Sequence, residues 1–411
     1  MTLRTLSLLE IVREGRTLGH LIGEAPDVWV FRAADDADAL LPAWSALRWA
    51  RGAAVNQRAW FRQLLPDPAS CIRLARRLGI SPGNDLALLG LAGRACRGNL
   101  GVVRPGAEIS PRRPPRDLDP ASLATLAANL VTAGLDLAPD EADFLLPGEA
   151  GQFPCSLDGE RLTLAAAPRW IARVGRPGLE EAVENEALIR RLAKSLDLPC
   201  PESTLLRLPT PVPVQRAAEW DADEASAGHL ETFGQLAGLH PEQAFEREGG
   251  LAVLDCANLI RRYSAAPALD LKALLGWLVL SFFAGMGHAH AGTLAFVDRG
   301  RGPRLTITDG WLCTQVYPAL SERLAMYVGR EDRPDWIRLA RWRELARELG
   351  IGQRYLLELV RHMAMRVPAL AQEAAIGLAL DARGLQVLPR ILRLIDNRAR
   401  QALIALAAEA D

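Results

Sequence analysis

Residues Trp60–Val102 read "WFRQLLPDPASCIRLARRLGISPGNDLALLGLAGRACRGNLGV". Pro66, Pro68 and the Pro82-Gly83 pair cut this stretch into short helices, because proline cannot continue a helix and Pro-Gly marks a turn. Just upstream, "VWVFRA" (Val28–Ala33) reads as a strand following a turn. Downstream, "ISPRRPPRDLDP" (Ile109–Pro120) is too rich in proline for a helix or a central strand and reads as a linker, with a helix from about Ala121 to Thr132 beyond it.

The chain has 411 residues, 49% hydrophobic and 24% charged, with a formal net charge of -1. That is globular composition, and the length implies two or three compact units at about 100–150 residues each. The near-neutral charge excludes a global basic field for nucleic acid. Positive charge is almost all arginine, since Lys194 and Lys272 are the only lysines. The six cysteines (Cys71, Cys96, Cys155, Cys200, Cys256 and Cys313) form no C-x-x-C pair, which argues against a disulfide framework or zinc ribbon and for thiols in a reducing cytoplasm. The N-terminal "MTLRTLSLLEIVREGR" has one short apolar patch and turns charged, unlike a signal peptide. "ALLGWLVLSFFAGMG" (Ala273–Gly287) carries no charge. As a helix it would span about 22 Å, short of the bilayer core, so it reads as a buried core helix rather than a membrane span.

Between Leu145 and Val214 the pattern is a small α/β unit. "GERLTLAAAPRWIARVG" suggests two strands meeting at a Pro168 turn, and "STLLRL" and "PVPVQRAA" suggest further strands. "LEEAVENEALIRRLAKSLDL" is a helix whose Leu188, Ile189, Leu192, Ala193 and Leu196 share one face. From Ala252 onward the chain is mostly helical, interrupted by the strand-like "GTLAFV" and "RLTIT". A mixed front module, an α/β lobe and an all-α lobe leave a cleft between lobes as the expected ligand site.

Chemistry-bearing residues are few. His288-Ala289-His290 could put two imidazoles on one face of a strand and bind a metal, with Asp309 as the nearby acid, in a metal-dependent hydrolase. His20, His229, His240 and His362 show no ligand spacing. There is no G-x-S-x-G, no Walker A sequence and no G-x-G-x-x-G after a strand.

The order of segments carries more. The Trp60–Val102 stretch resembles the front module of the HipA-like kinases of bacterial toxin–antitoxin systems. Their pattern there is F-x-x-L-L-P, then R-x-x-L-A-x-x-L-G-x-S-x-x-D-x-x-L-L, then G-x-x-C-x-G-x-L. "WIARVG", "ENEALIRRLAKSLDLPCPESTLL", "HLETFGQLAGLHPEQAF", "SFFAGMGHAHAGTLAF", "LTITDGWLCTQVYP" and "WIRLARWRELARELGIG" follow in the family's order. The resemblance spans roughly residues 15–375. It implies an α+β, protein-kinase-like two-lobe fold: an N-terminal α/β module over 1–108, a Pro-rich linker and helix over 109–140, a mixed N-lobe over 141–250 and an all-α C-lobe over 251–411.

The resemblance also implies a site. The strand lysine that holds the ATP phosphates falls on Arg173, and its helix partner on Glu186. Arginine keeps the charge but does not replace an ammonium at a fitted site, and neither Lys194 nor Lys272, which starts the buried helix, is placed to substitute. The nucleotide loop falls on "AGQFPC", with Gly151 kept and Cys155 at the lysine position; Gly148 stands where active members can carry a phosphorylated serine. Where active relatives read G-N-x-D-x-H-x-K-N, this chain has Gly285 to Thr293. His288 holds the catalytic aspartate position, His290 matches a family histidine, Thr293 holds the magnesium asparagine position and Asp309 the remaining metal-binding aspartate. Base, metal ligand and phosphate lysine are thus altered together, which implies an impaired, pseudokinase-like protein acting by binding. The implied partner is a small helix-turn-helix antitoxin or another toxin-system protein, with DNA reached only through it, no membrane, and a cytoplasmic location. Some family members phosphorylate aminoacyl-tRNA synthetases. ATP and Mg2+ are the cofactors if activity survives, as in an active serine/threonine kinase using Arg173 and His288 in altered roles. Arg173 and Glu186 equally suit a structural ion pair, Asp309-Gly310 an ordinary turn, and Arg216 a solvated strand end.

Overall fold

The computed structural model describes residues 7–13, 15–25, 27–37, 40–49, 57–66, 68–93, 100–107, 116–119, 121–126, 152–158, 161–164, 170–175, 178–206, 214–217, 228–379 and 385–408. The chain divides into two units. The first comprises Met1–Pro177, Thr204–Pro241 and Val297–Arg301; the second comprises Gly178–Ser203, Glu242–Phe296 and Gly302–Asp411.

The first unit opens with strands β1 (Leu8–Arg13), β2 (Arg16–Ala25) and β3 (Val28–Ala33), which with β4 (Leu100–Val103) form an antiparallel sheet ordered β3-β2-β1-β4. The apolar patch near the N-terminus is therefore half of a hairpin, turned at Gly15 in the left-handed region (φ 75°). Short helices α1 (Ala46–Trp49), α2 (Gln57–Arg62), α3 (Pro68–Leu78) and α4 (Asp85–Ala92) lie between β3 and β4, broken where the prolines and Pro82-Gly83 predict. Asn84 caps α4 by accepting the Ala87 N–H at 3.1 Å. Gly93 ends it against β4, where a Cβ would come within 2.6 Å of Val102 Cβ.

A six-stranded sheet follows, ordered β5-β7-β6-β8-β10-β9: β5 (Arg116–Leu118), β6 (Gln152–Asp158), β7 (Arg161–Leu164), β8 (Trp170–Arg173), β9 (Ser203–Leu206) and β10 (Val214–Ala217). Two expectations change here. The strands flanking Pro168 do not face each other, because β6 pairs with both of them. Part of the expected linker is an edge strand: Arg116, Asp117 and Leu118 carry the N–H groups their proline neighbours lack, and they pair with β7. Phe153, Cys155, Leu164 and Ala172 from this sheet join Leu9, Ile11 and Trp60 in one apolar core.

The strand β11 (His229–Thr232) brings a carboxylate into the first unit's interior. Glu231, fully buried, accepts from Ser45 Oγ, from Ala46 N at 3.0 Å and Trp60 Nε1 at 3.3 Å, and lies 2.6 Å from His229 Nε2. Arg13 Nη1 lies 3.0 Å from His229 Nδ1. A neutral imidazole protonated at Nε2 satisfies both contacts.

The second unit is mostly helical: α5 (Ala182–Ser195), α6 (Val253–Tyr263), α7 (Pro267–Ala284), α8 (Leu339–Glu348), α9 (Gln353–Ala379) and α10 (Val387–Ala408), with strand β13 (Arg304–Ile307) beside β12 (Leu294–Asp298). Helix α7 begins six residues before the uncharged run, with Pro267 in its first turn, where the missing N–H is not needed. Exposed Lys272 is therefore inside α7, not at its start. Among the described residues α7 is the one helix long and apolar enough to cross a membrane, yet two-thirds of it (67%) is buried within the fold, as a core helix is. Buried Asp270 ties it to β13 by accepting from Arg304 (Nε 3.1 Å, Nη2 2.8 Å), Leu305 N at 2.9 Å and Ser264 Oγ at 2.6 Å.

Candidate functional site

Helix α7 ends in a left-handed Gly285 (φ 65°), whose N–H turns back to Ser281 O. The chain then passes Gly287, where no side chain fits: a Cβ would lie 2.6 Å from Thr314 Oγ1 and 2.8 Å from Arg323 O. Gly287 N donates to Thr314 Oγ1 at 2.8 Å. His288 and His290 follow, partly exposed, in an irregular turn rather than a strand. Both imidazoles meet the ring of Phe245 edge-on, at 5.7 and 5.4 Å, and the Arg247 guanidinium covers that ring at 4.3 Å.

The loop's polar groups are turned into the loop itself. His290 Nδ1 accepts from Gly292 N at 3.1 Å, capping the 3-10 turn Ala291–Thr293. Buried Thr293 donates its hydroxyl to His290 O at 2.8 Å, and its carbonyl accepts from Thr308 N at 2.8 Å and Thr308 Oγ1 at 3.1 Å. Asp309 comes next, and its Oδ1 accepts from Gly310 N at 2.8 Å. Gly310 is left-handed (φ 82°), and a Cβ there would lie 3.0 Å from His288 O and 3.3 Å from Thr293 Cγ2. His288, Thr293 and the Asp309-Gly310 turn are therefore neighbours.

Helix α5 holds this turn through Asn185, which is completely buried. Its Oδ1 accepts from Cys313 N at 2.9 Å, and its Nδ2 donates to Cys313 O at 3.0 Å and to Tyr317 Oη at 3.2 Å. Tyr317 Oη in turn donates to Glu180 O at 2.9 Å. Burial pushes the Cys313 thiol and the Tyr317 hydroxyl up to about 12 each, so both stay neutral. One residue on, buried Glu186 accepts from Arg190 Nε at 2.8 Å within the same helix.

In the first unit, Arg173 ends β8, buried, with Gln152 and Gln215 as its cross-strand neighbours. Cys155 is buried in β6 opposite Leu164 and Trp170. The backbone of Arg216 pairs with Ala172. Gly148 and Gly151 lie outside the described residues. Lys194 faces Glu202 at 3.7 Å on the surface.

Residues 9–103 match the model of the HipA N-terminal domain, and residues 153–371 that of the HipA-like C-terminal domain. This chain belongs to the HipA-like family. A Sinorhizobium fredii (strain NBRC 101917 / NGR234) protein named "Putative kinase Y4mE" is 28% identical to it over 342 residues, 80% of each chain. HipA of Shewanella oneidensis MR-1, solved with HipB and operator DNA, superposes with a TM-score of 0.80 at 18% identity, covering 96% of this chain and 97% of that one. The HipA-like fold is α+β, with the kinase-like two-lobe plan that the segment order implied.

Sequence reading placed His288, His290, Thr293 and Asp309 together, and the second unit of this HipA-like chain does bring them together. The metal-hydrolase expectation finds no support. The two histidines lie in a turn, so the shared strand face does not exist, and among the described residues no three His, Cys, Asp or Glu side chains group to hold a metal. Sequence reading missed Arg190, Asn185 and Phe245. Asn185 left a trace, since it falls three and four residues before Leu188 and Ile189, on the apolar face of α5.

Proposed function

We propose that this chain is a toxin–antitoxin kinase-fold protein whose phosphoryl-transfer chemistry is impaired and which works by holding a partner. The supporting observation is the loop from Gly285 to Thr293, which contains no carboxylate and no carboxamide. An imidazole packed on Phe245 stands where the acceptor hydroxyl's base belongs, and a threonine hydroxyl turned to a backbone carbonyl stands where a magnesium ligand belongs. Magnesium is held by oxygen ligands, usually one or two carboxylates. At the metal-binding positions carried over from the family this unit supplies one carboxylate, Asp309, already accepting from Gly310 N. That donor set does not fit a kinase's metal pair. In the first unit, Arg173 offers a planar fork where a compact ammonium belongs.

The partner we infer is a small helix-turn-helix protein, with DNA reached through it. This rests on the likeness to a HipA solved with HipB and operator DNA. The whole chain is then a cytoplasmic binding component. A second reading, an active serine/threonine kinase, draws on the retained Asp309 and on the kinase named among its relatives.

The two readings separate in one experiment. The full chain is titrated with ATP and magnesium by thermal shift, and its intact mass is then measured. We expect no shift and no added phosphate. A variant carrying Arg173→Lys, His288→Asp and Thr293→Asn should gain a shift of about 2–4 °C. Added phosphate on the unaltered chain would establish the active kinase instead.

A further inference from the structure

The helical unit contains a small cavity that the residues above do not use. It holds about 40 Å³, enough for a few water molecules, between α8, α9, α10 and the end of α7. Its walls are mainly apolar, including Phe282, Trp342, Val360 and Ala402, and two arginines, Arg338 and Arg398, reach it. Asp335 is the one acid along its lining.

Arg398 is the informative residue. Its guanidinium donates to Phe282 O at 2.7 Å and to Gln315 Oε1, both neutral oxygens, and it forms no ion pair among the described residues. Its charge also faces the Phe282 ring at 5.6 Å. The carbonyl of Phe282 belongs to the last turn of α7, so the helix dipole offsets about half a charge there. Burial pulls the guanidinium down to about 10, outweighing Asp335 and Glu322, which are close enough to offset part of the rest but are not paired with it. Five N–H donors are available on an arginine, those two acceptors use only part of them, and Arg398 is among the residues lining the cavity.

The cavity's lip is fixed in advance. Arg333 holds Glu331 through two bonds, Nε–Oε1 at 2.7 Å and Nη2–Oε2 at 2.9 Å, and lies over the Trp336 ring at 4.6 Å. Pro334, Asp335 and Ile337, in that same turn, line the opening. A preformed apolar recess with an under-compensated cation suits one ligand chemistry.

We propose that this cavity binds a small monocarboxylate with a short apolar body, its carboxylate on Arg398 and its tail against Phe282 and Trp342. Arg338 and Arg398 against Asp335 leave one net positive charge in the lining, which a single carboxylate matches and a doubly charged phosphate exceeds, and a neutral alcohol would leave that charge unpaired. The inference does not rest on the catalytic competence of the chain.

The test uses the full chain and three probes of one shape: butyrate, butylamine and butanol. Thermal shift should show stabilisation by butyrate of about 3 °C at roughly twenty times its dissociation constant, with no shift from the other two. Arg398→Met should abolish the butyrate shift. Because Arg398 also braces α7, Ala402→Phe serves as the second variant: it fills the recess, keeps the arginine and should abolish the shift equally. The proposal is overturned if butyrate gives no shift, if butylamine or butanol shifts the melt as much, or if the Ala402→Phe chain still responds.

Discussion

Glu231 and Asn185 are each completely buried, one in each unit, and they organise their surroundings by different means. Glu231 uses charge. It gathers two ring N–H groups, a hydroxyl and a backbone amide from three parts of the chain, and its neighbour His229 passes the contact on to Arg13. Asn185 uses shape. Its carboxamide pairs reciprocally with the Cys313 backbone, as one strand pairs with another, without a formal charge. The charged centre knits the first unit's interior. The neutral centre sets the register of the segment after Asp309 against the helix that carries Glu186. We propose that the frame of a kinase site is kept in this way while the groups that would react are exchanged.

That contrast predicts a graded series of effects. Glu231→Ala strands several buried donors at once and should cost about 3–5 kcal/mol, read from urea unfolding followed by tryptophan fluorescence. If the loss is below about 1 kcal/mol, charge is not what holds that interior. Asn185→Leu should cost about 2–4 kcal/mol and open residues 311–317 to proteolysis, and Asn185→Asp, which keeps the acceptor but sets a buried carboxylate oxygen against Cys313 O, should lose at least as much.

Next in size is a pH effect at Glu246, which accepts from Tyr327 N at 2.7 Å. Burial raises its carboxyl from 4.5 to about 7. The folded chain therefore holds this proton more tightly than the unfolded one, so the contribution is full below 4.5 and is lost as pH rises toward 7. With partial solvent screening the loss should be about 1 kcal/mol, and Glu246→Gln should flatten the difference between urea midpoints at pH 5 and pH 8. Smallest is Lys194→Ala at the exposed pair with Glu202, expected within about 0.5 kcal/mol by the same unfolding measurement.

Much of this was legible from residues alone where local chemistry decides. Prolines and the Pro82-Gly83 turn placed the front helices, and the three-four spacing placed α5. What stayed hidden depends on partners distant in sequence. The Leu8–Ala25 hairpin was masked by its charged residues, some exposed, as Arg16 and Glu24 are, and one, Arg13, buried. The place of β6 between β7 and β8 is set by pairing, which periodicity does not encode. Phe245 reaches His288 across more than forty residues, and no local pattern announces such a contact. For the candidate site, the residue types from Gly285 to Asp309 are plain in the sequence, but their inward hydrogen bonds are not.

The glycines of the Gly285–Gly310 region carry a further consequence. Gly287 has backbone and hydroxyl oxygens where a Cβ would go, and Gly285 and Gly310 sit in left-handed conformations. These three positions are thus closed to ordinary substitution, while His288 is partly open to solvent. Such a loop is a mould whose contents can be swapped without recasting it. A side chain at 288 can be exchanged with the path of the loop intact, whereas a side chain added at Gly285 or Gly287 disturbs that path, and a saturation library across 285–293 should tolerate variety at 288 and almost none at those two glycines.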